Sequence, residues 1–192
     1  MPNCGHFLLK KSIILYNKYM EEKFLIENEA LILKPLDQSM YFDVWQNSLD
    51  EDNRRFVPDE VFETLEDATD AVNYLMSCYN NENGPYVYAV IRKADDKNLG
   101  YVQLVKIEEG WEIGYHIAKR YTGNGYATSA VKLFLEYLKR DTNIKEIYGV
   151  ALADNLASRK VLNKCGFELY FEGVGIYQGT PKKIIKSVLK IK

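Results

Sequence analysis

Two segments of the chain carry apolar residues with the period of an α-helix. One follows Thr64, which forms a capping-box-like start with Asp67, and it ends at the helix breakers of residues 80–85. The other runs from about Gly125 to Arg140. In both, apolar side chains recur at offsets 0, 3, 4, 7, 8 and 11, which predicts one continuous apolar face. The two sets are Ala68, Ala71, Val72, Leu75, Met76 and Tyr79, and Ala127, Ala130, Val131, Phe134, Leu135 and Leu138.

Three short segments between these helices have the composition of β-strands. They cover residues 86–92, 99–107 and 111–117, and the turns at 95–98 and 108–110 separate them. Because such short turns can join only neighbouring antiparallel strands, the pattern predicts a three-stranded meander.

The rest of the chain alternates strand and helix. The predicted elements are an extended segment over 24–35, a helix over 37–46, a strand over 146–151, a shorter helix over 156–165, and two strands between 168 and 191 that meet at a turn over 179–181. A meander followed by strand–helix–strand–helix–strand indicates an α/β fold with a mixed sheet and helices on both faces. No repeat or linker divides the chain, so we expect one domain over residues 20–192, preceded by an extension over residues 1–19.

Composition and charge narrow the class of protein. The chain is 47% hydrophobic and 27% charged, which is typical of a globular protein. A net charge of -2 gives no basic surplus for nucleic acid or an anionic membrane, and no apolar run is long enough for a membrane span. The three cysteines, Cys4, Cys78 and Cys165, fit no disulfide framework or metal-site spacing. We therefore expect a cytoplasmic protein without a metal site.

A glycine-containing loop over residues 120–127 is the strongest local signal. Gly123 and Gly125 permit backbone conformations that other residues avoid, and they let amide groups approach a ligand closely. The helix that follows adds unpaired N–H groups and the positive end of its dipole. The loop thus predicts a pyrophosphate site, although a tight strand-to-helix turn would also explain two glycines. A P-loop is excluded because no Lys-Ser/Thr pair follows Gly125, and a Rossmann fingerprint would need a third glycine.

Three motifs in order resemble the GNAT acetyltransferases. Residues 120–127 (R-x-x-G-x-G-Y-A) resemble the cofactor loop of that family. Residues 111–115 (W-E-I-G-Y) and 155–167 (N-x-x-S, then K-x-G-F) resemble segments of the branch that modifies ribosomal-protein N-termini, the RimJ/RimL type, as do residues 31–36. The resemblance covers residues 20–191 and implies a GNAT-type fold, with a mostly antiparallel, splayed central sheet.

This resemblance implies acetyl-CoA as the acyl donor. Its pyrophosphate would lie on the loop, and its pantetheine arm would lie beside the strand over 111–117, where a backbone N–H near Ile117 would face the thioester carbonyl. Asn155 would bind pantetheine or amine, but an N-cap role explains it as well, and Ser158 is equally explained as a first-turn serine. The implied cofactor-binding residues are Ile117, Arg120, Tyr121, Thr122, Gly123, Asn124, Gly125, Tyr126, Ala127, Asn155 and Ser158.

Acetyl transfer requires a neutral amine, so a base must take the proton of the acceptor. The alternation within residues 111–117 places Glu112 on the same side as Gly114 and His116. Few carboxylates are expected in the middle of a strand that is covered on both faces. Glu112 is therefore the predicted base, directly or through water; an alternative is that it lines the cleft or pairs with a basic residue.

The predicted catalytic residues are Glu112, Asn155 and Ser158. Many GNAT enzymes carry a tyrosine as the acid four residues before the Gly-Phe pair, but this chain has Leu162 there. Protonation of the thiolate is then left to Ser158, to water or to no group. Since no base is evident beside any cysteine, we predict direct attack by the amine in a ternary complex.

We expect the acceptor to enter between the first helical region and the middle strands. The predicted lining residues are Trp45, Arg54, Arg55, Phe56 and Tyr86, with Asp43, Glu60 and Glu63 as carboxylates that would attract an amine. The sequence thus predicts an N-acetyltransferase, monomeric or homodimeric, that acts on a protein N-terminus or a small amine. An acyltransferase for longer acyl chains, a catalytically silent acyl-CoA-binding module and a nucleotide-binding regulator remain alternatives.

Overall fold

Eight strands form one mixed sheet in a computed structural model that describes residues 26–191. The predicted extension over residues 1–19 lies outside the described part. The order across the sheet is β1-β2-β3-β4-β5-β6-β8-β7. The strands are β1 (Ile26–Glu27), β2 (Leu31–Pro35), β3 (Tyr86–Arg92), β4 (Lys97–Ile107), β5 (Gly110–Ile117), β6 (Glu146–Leu152), β7 (Glu168–Tyr177) and β8 (Thr180–Lys190).

The described helices are α1 (Tyr41–Ser48), α2 (Glu51–Phe56), α3 (Leu65–Cys78), α4 (Tyr126–Asp141) and α5 (Leu156–Lys164). Helix α2 was not predicted, because it is short, highly charged and has no apolar face. It forms where Asp50 accepts a hydrogen bond from the N–H of Asn53 at 2.8 Å, which caps the first turn. Within residues 26–191 no helix is both long and apolar enough to cross a membrane.

The sheet is mostly antiparallel, as the resemblance implied. The one parallel neighbour pair among the described strands is β5 and β6, which pair only where Glu112 lies opposite Tyr148. Beyond this point β5 continues to Ile117 and β6 to Leu152 without pairing with each other, although β5 stays paired with β4 and β6 with β8. The two strands therefore diverge and leave a gap in the middle of the sheet.

Helices cover both faces of the sheet, which β3 shows most clearly. Successive side chains of a strand point to opposite faces. Tyr88 and Val90 belong to a hydrophobic cluster that includes the apolar face of α4, whereas Val87, Ala89 and Ile91 belong to a second cluster with α1 and α3. The prediction of a mixed α/β sheet between two helical layers is confirmed.

Candidate active site

The divergence of β5 and β6 opens a cavity of about 460 Å³. Its walls come from both strands, from the 3-10 turn after α2, from the start of α5 and from the end of β7. Four separate segments of the sequence contribute predicted site residues to its lining, namely Phe56 and Glu60, Glu112 and Ile117, Thr122 and Ala127, and Asn155 and Ser158.

The glycine loop borders this cavity and presents a free backbone surface. Gly123 and Gly125 have φ values of 82° and 81°, in the left-handed region that favours glycine. A Cβ atom added to either glycine would meet no atom within 4 Å, so space is open above the loop. Gly125 is the N-cap of α4, with no side-chain cap and no acidic residue in the first turn. The loop therefore fits a pyrophosphate, which would receive the amides and the positive dipole end of α4.

Side chains in the loop and at the end of β3 fix the shape of the loop. The Arg92 guanidinium lies over the rings of Tyr121 and Tyr126, at 5.2 and 5.8 Å from their centroids. Asn124 donates through Nδ2 to the carbonyl groups of Tyr121 and Thr122 at 3.1 Å. These contacts hold the two glycines in position between the ends of the sheet and α4.

A second set of contacts ties the loop to the helices on the opposite face. Arg120 stacks on Tyr121, at 4.8 Å from the centroid, and donates to Asn47 Oδ1 at 2.6 Å. The N–H of Lys119 donates to Asp50 Oδ2 at 2.8 Å. Arg120, a predicted cofactor residue, therefore connects the loop to α1.

Asp50 links the acceptor side of the sheet to this loop. Its Oδ2 lies 3.2 Å from Nε2 of His116, and its carboxylate caps α2 as described above. Burial opposes ionisation, but the adjacent His116 imidazole and the hydrogen bonds from the N–H groups of Asn53 and Lys119 outweigh it and lower the pKa of Asp50 to about 2. Asp50 is thus ionised at neutral pH and joins α2, β5 and the loop.

Strand register identifies which side chains share the face of Glu112. Tyr101 lies opposite His116, and Gln103 lies opposite Gly114. A Cβ atom on Gly114 would lie 2.7 Å from Nε2 of Gln103, which shows that both point to the same side. Since alternate residues of β5 share a face, Glu112 points to this side as well.

Glu112 has the protonation behaviour of a base for neutral pH. Burial raises its pKa to about 7; Glu109 adds to the increase, and Lys186 reduces it. Lys186 also lines the cavity. A carboxylate with this pKa accepts and releases a proton near neutrality, as acid–base catalysis requires.

Glu60 is a second carboxylate of this cavity. Its backbone carbonyl accepts a hydrogen bond from Nδ2 of Asn53 at 3.0 Å, and its Oε1 accepts one from Nε2 of Gln103 at 2.9 Å. Burial raises its pKa to about 7, and Asp59 adds to this, while Gln103 and His116 oppose it. The sequence predicted Glu60 only as a carboxylate that would attract an amine. Its burial was not predicted, because the charged residues around it are typical of an exposed turn.

Asn155 and Ser158 meet at the start of α5. Asn155 Oδ1 accepts a hydrogen bond from the N–H of Ser158 at 3.0 Å, so the N-cap role is present. The phenol of Tyr115 lies 2.9 Å from Oγ of Ser158 and donates to its carbonyl at 3.1 Å. Burial raises the pKa of Tyr115, so its hydroxyl keeps its proton at neutral pH. Tyr115 was not among the predicted site residues, although it is adjacent to Gly114 in the strand motif.

Two residues bear on the alternatives for the acid and the nucleophile. Leu162 is buried, and a Cβ atom on Gly149 would lie only 2.7 Å from it, so its packing fills this position. Burial raises the pKa of the Cys165 thiol to about 11, and Cys165 is not among the residues that line the cavity. A thiol with so high a pKa is a weak nucleophile at neutral pH.

The predicted acceptor residues separate into two groups. Phe56 lines the cavity, and its carbonyl accepts a hydrogen bond from the Tyr177 hydroxyl at 2.8 Å. Trp45 and Tyr86 do not line it. Trp45, a residue of α1, packs edge to face against Phe42 of the same helix, with ring centroids 5.6 Å apart. Tyr86 packs against Trp111, with ring centroids 5.7 Å apart, beside a separate pocket. The strand alternation could not show that Tyr86 points towards the α4 layer.

The charged candidates near α2 also lie outside the cavity lining. Arg54 pairs with Glu63 at the surface, and Arg55 donates to Asp154 Oδ2 at 2.6 Å, with both side chains exposed. Asp43 lies in the first turn of α1. Arg54, Arg55 and Glu63 are therefore engaged in surface ion pairs, and Glu60 is the acidic candidate that reaches the cavity.

Comparisons with known proteins agree with this architecture. Residues 30–168 match the family model described as an acetyltransferase (GNAT) domain. The uncharacterized N-acetyltransferase YnaD of Bacillus subtilis (strain 168) is 27% identical over 143 residues, which cover 73% of this chain and 81% of YnaD.

Two solved structures share the fold. A GNAT-family acetyltransferase from Bacillus anthracis superposes with a TM-score of 0.75 at 21% identity, covering 86% of this chain and 98% of that one. RimL, a ribosomal L7/L12 α-N-protein acetyltransferase in complex with coenzyme A, also gives a TM-score of 0.75, at 17% identity and coverages of 87% and 98%.

Proposed function

Since the chain belongs to the GNAT acetyltransferase family, we propose that it transfers an acetyl group from acetyl-CoA to a primary amine by direct attack in a ternary complex. The acceptor is a protein N-terminal amine or a small amine. RimL, which shares the fold, is a ribosomal L7/L12 α-N-protein acetyltransferase, and this supports the first kind of acceptor. Acetyl-CoA, when bound, supplies the activated acyl carbon.

The glycine loop supports the cofactor part of this proposal. Open space above Gly123 and Gly125 and the uncapped start of α4 provide the surface that a pyrophosphate requires. Thr122 and Ala127 extend this surface into the cavity. The loop would hold the phosphates, and the gap between β5 and β6 would admit the acyl arm.

The observation that carries the proposal is the position of Glu112 beside that gap. With a pKa of about 7, its carboxylate can take a proton from an ammonium or from the amine as the N–C bond forms. As the C–S bond breaks, the departing thiolate needs a proton, and the Ser158 hydroxyl lines the same cavity. The phenol of Tyr115 holds Ser158 in place.

Release of free thiol from acetyl-CoA tests this function. The purified protein would be incubated with acetyl-CoA and with panels of small amines and N-terminal peptides, and the product would be identified by mass spectrometry. We expect acceptor-dependent thiol release that is strongly reduced in Glu112→Gln. Binding of acetyl-CoA without thiol release for every acceptor would instead support the silent acyl-CoA-binding module.

A further inference from the structure

A second chamber of about 220 Å³ lies next to the active-site cavity, under α1 and α3. Most of its wall is apolar, formed by Leu36, Val44, Phe62, Ala71, Leu75 and Val87. Apolar pockets with a few converging polar groups are typical binding sites for small organic molecules. The mechanism described above makes no use of this chamber.

Three side-chain donors at the end of the chamber are already hydrogen-bonded. Nδ2 of Asn47 donates to the carbonyl of Asn98 at 3.1 Å, and Nδ2 of Asn53 donates to that of Ser48 at 2.9 Å. The Ser48 hydroxyl donates to the carbonyl of Trp45 at 2.9 Å. These donors are therefore not free for a polar guest. Within the described residues, Oδ1 of Asn53 and Nε2 of His116 have no hydrogen-bond partner. The greater part of the wall is apolar, so the chamber favours a mainly apolar group.

The chamber and the cavity share one wall. Glu60, Tyr101, Gln103 and His116 line both spaces. Glu60 is the acidic member of this wall, and its Oε1 is held by Gln103. The carboxylate of Glu60 therefore lies where the cavity adjoins the apolar chamber.

We propose that the chamber is the acceptor subsite for an aryl or branched-alkyl group, so that the preferred acceptor is a primary amine carrying such a group. The ammonium approaches along Glu60, and its apolar substituent occupies the chamber. The volume exceeds that of an apolar cavity of about 150 Å³ that is known to bind benzene. The role of the bound amine as an acetyl acceptor rests on the proposed function, whereas the binding of an apolar amine in the chamber does not.

Binding of 2-phenylethylamine tests the chamber without any turnover. We expect calorimetry to show binding to the wild-type protein, and a Kd for ethanolamine that is at least about ten-fold weaker, since its hydroxyl gains nothing from an apolar wall. Ala71→Phe and Val44→Phe fill the chamber from two different helices and should weaken 2-phenylethylamine binding about ten-fold or more. Asp70→Phe, on the exposed side of α3, is the matched control and should leave it within about two-fold of wild type.

Equal Kd values for the two amines would overturn the inference, as would unchanged 2-phenylethylamine binding in folded Ala71→Phe and Val44→Phe proteins. Thiol release with 2-phenylethylamine and with peptides that begin with Phe or Ser then distinguishes a small amine from a peptide as the source of the apolar group. Binding without any thiol release would leave the chamber in place and contradict the proposed function. Thiol release with no preference for apolar amines would support the proposed function and contradict the assignment of the chamber as an acceptor subsite.

Discussion

The phenol oxygen of Tyr115 lies 2.9 Å from the hydroxyl oxygen of Ser158, across the gap between β5 and α5. Tyr115 is on the strand that carries Glu112, and Ser158 is on the first turn of the helix that Asn155 caps. The hydroxyl that many GNAT enzymes place four residues before Gly-Phe is missing here, since Leu162 is buried at that position. A phenol from another element thus stands next to the serine that faces the cavity.

Loss of this pair should slow turnover and leave cofactor binding unchanged. We expect Ser158→Ala to lower kcat about ten-fold or more, because the departing thiolate loses its proton donor. Tyr115→Phe should act through Ser158, so the double variant should be no slower than the slower single variant. Steady-state kinetics with constant KM for acetyl-CoA would agree with this role. Tyr41→Phe, which removes from α1 a hydroxyl that donates to Asn73 of α3, is the control.

Multiplicative losses in the double variant would contradict a shared role. They would mean that Tyr115 and Ser158 act independently. Loss of acetyl-CoA affinity in Tyr115→Phe would indicate that the phenol only shapes the binding surface.

Glu112→Gln should lower kcat by about 100-fold or more with cofactor affinity near wild type, because the amide retains the volume of the side chain but is not a base. The raised pKa of about 7 means that the basic form is lost as the pH falls through 7. In the wild type, kcat should therefore rise with pH through an inflection near 7. The pH–rate profile of Glu112→Gln should lack it.

Glu60 provides the comparison for this prediction, since its pKa is also about 7 and it lines the same cavity. Glu60→Gln should retain the inflection in kcat and change mainly the KM for the amine. If the inflection instead persists in Glu112→Gln and disappears in Glu60→Gln, the base is Glu60.

The phosphate surface can be tested at Gly125. Gly125→Val should weaken acetyl-CoA binding at least ten-fold, about 1.4 kcal/mol, because it adds a side chain where the phosphates approach and strains the left-handed backbone. Gly179→Val is a matched control, since Gly179 has a φ of 73° and also has no atom within 4 Å of an added Cβ. Both variants should lose similar stability, whereas calorimetry should show weaker binding only for Gly125→Val. Equal affinity in the two folded proteins would contradict the assignment.

Transfer should take place without an acetylated enzyme. The raised pKa of Cys165, about 11, leaves little thiolate at neutral pH. We expect initial-rate plots against acetyl-CoA and amine to intersect, and mass spectrometry of the protein with acetyl-CoA alone to show no stoichiometric adduct. Parallel plots together with an acetyl group trapped on Cys165 would overturn direct attack.

Local interactions account for what the sequence predicted about the fold. The apolar face of α4, the capping box at Thr64 and the left-handed turn at Gly125 each depend on residues within a few positions of one another. The same holds for the N-cap at Asn155. The adjacency of β3, β4 and β5 was predictable because short turns leave few ways to connect neighbouring strands.

The candidate site was predictable only where it coincides with such local signals. Glu112 and the glycine loop were selected because alternation and glycine spacing are visible in the chain itself. Tyr86 was placed with the acceptor, but it packs on Trp111 beside a different pocket. The residues next to Tyr86 in the sequence do not determine which of the two helical layers its side chain faces.

The sequence by itself thus determined helices α1, α3, α4 and α5, the meander of β3 to β5, the glycine loop and the resemblance to the family, because short-range patterns specify them. Only the tertiary structure decided that Glu60 turns inward to Gln103, 43 positions away, and that Tyr115 reaches Ser158, also 43 positions away. The same holds for the second chamber, which exists only because α1 and α3 pack over β3 and β4. Burial of a carboxylate and the volume of a cavity depend on contacts between distant segments, and no local pattern encodes them.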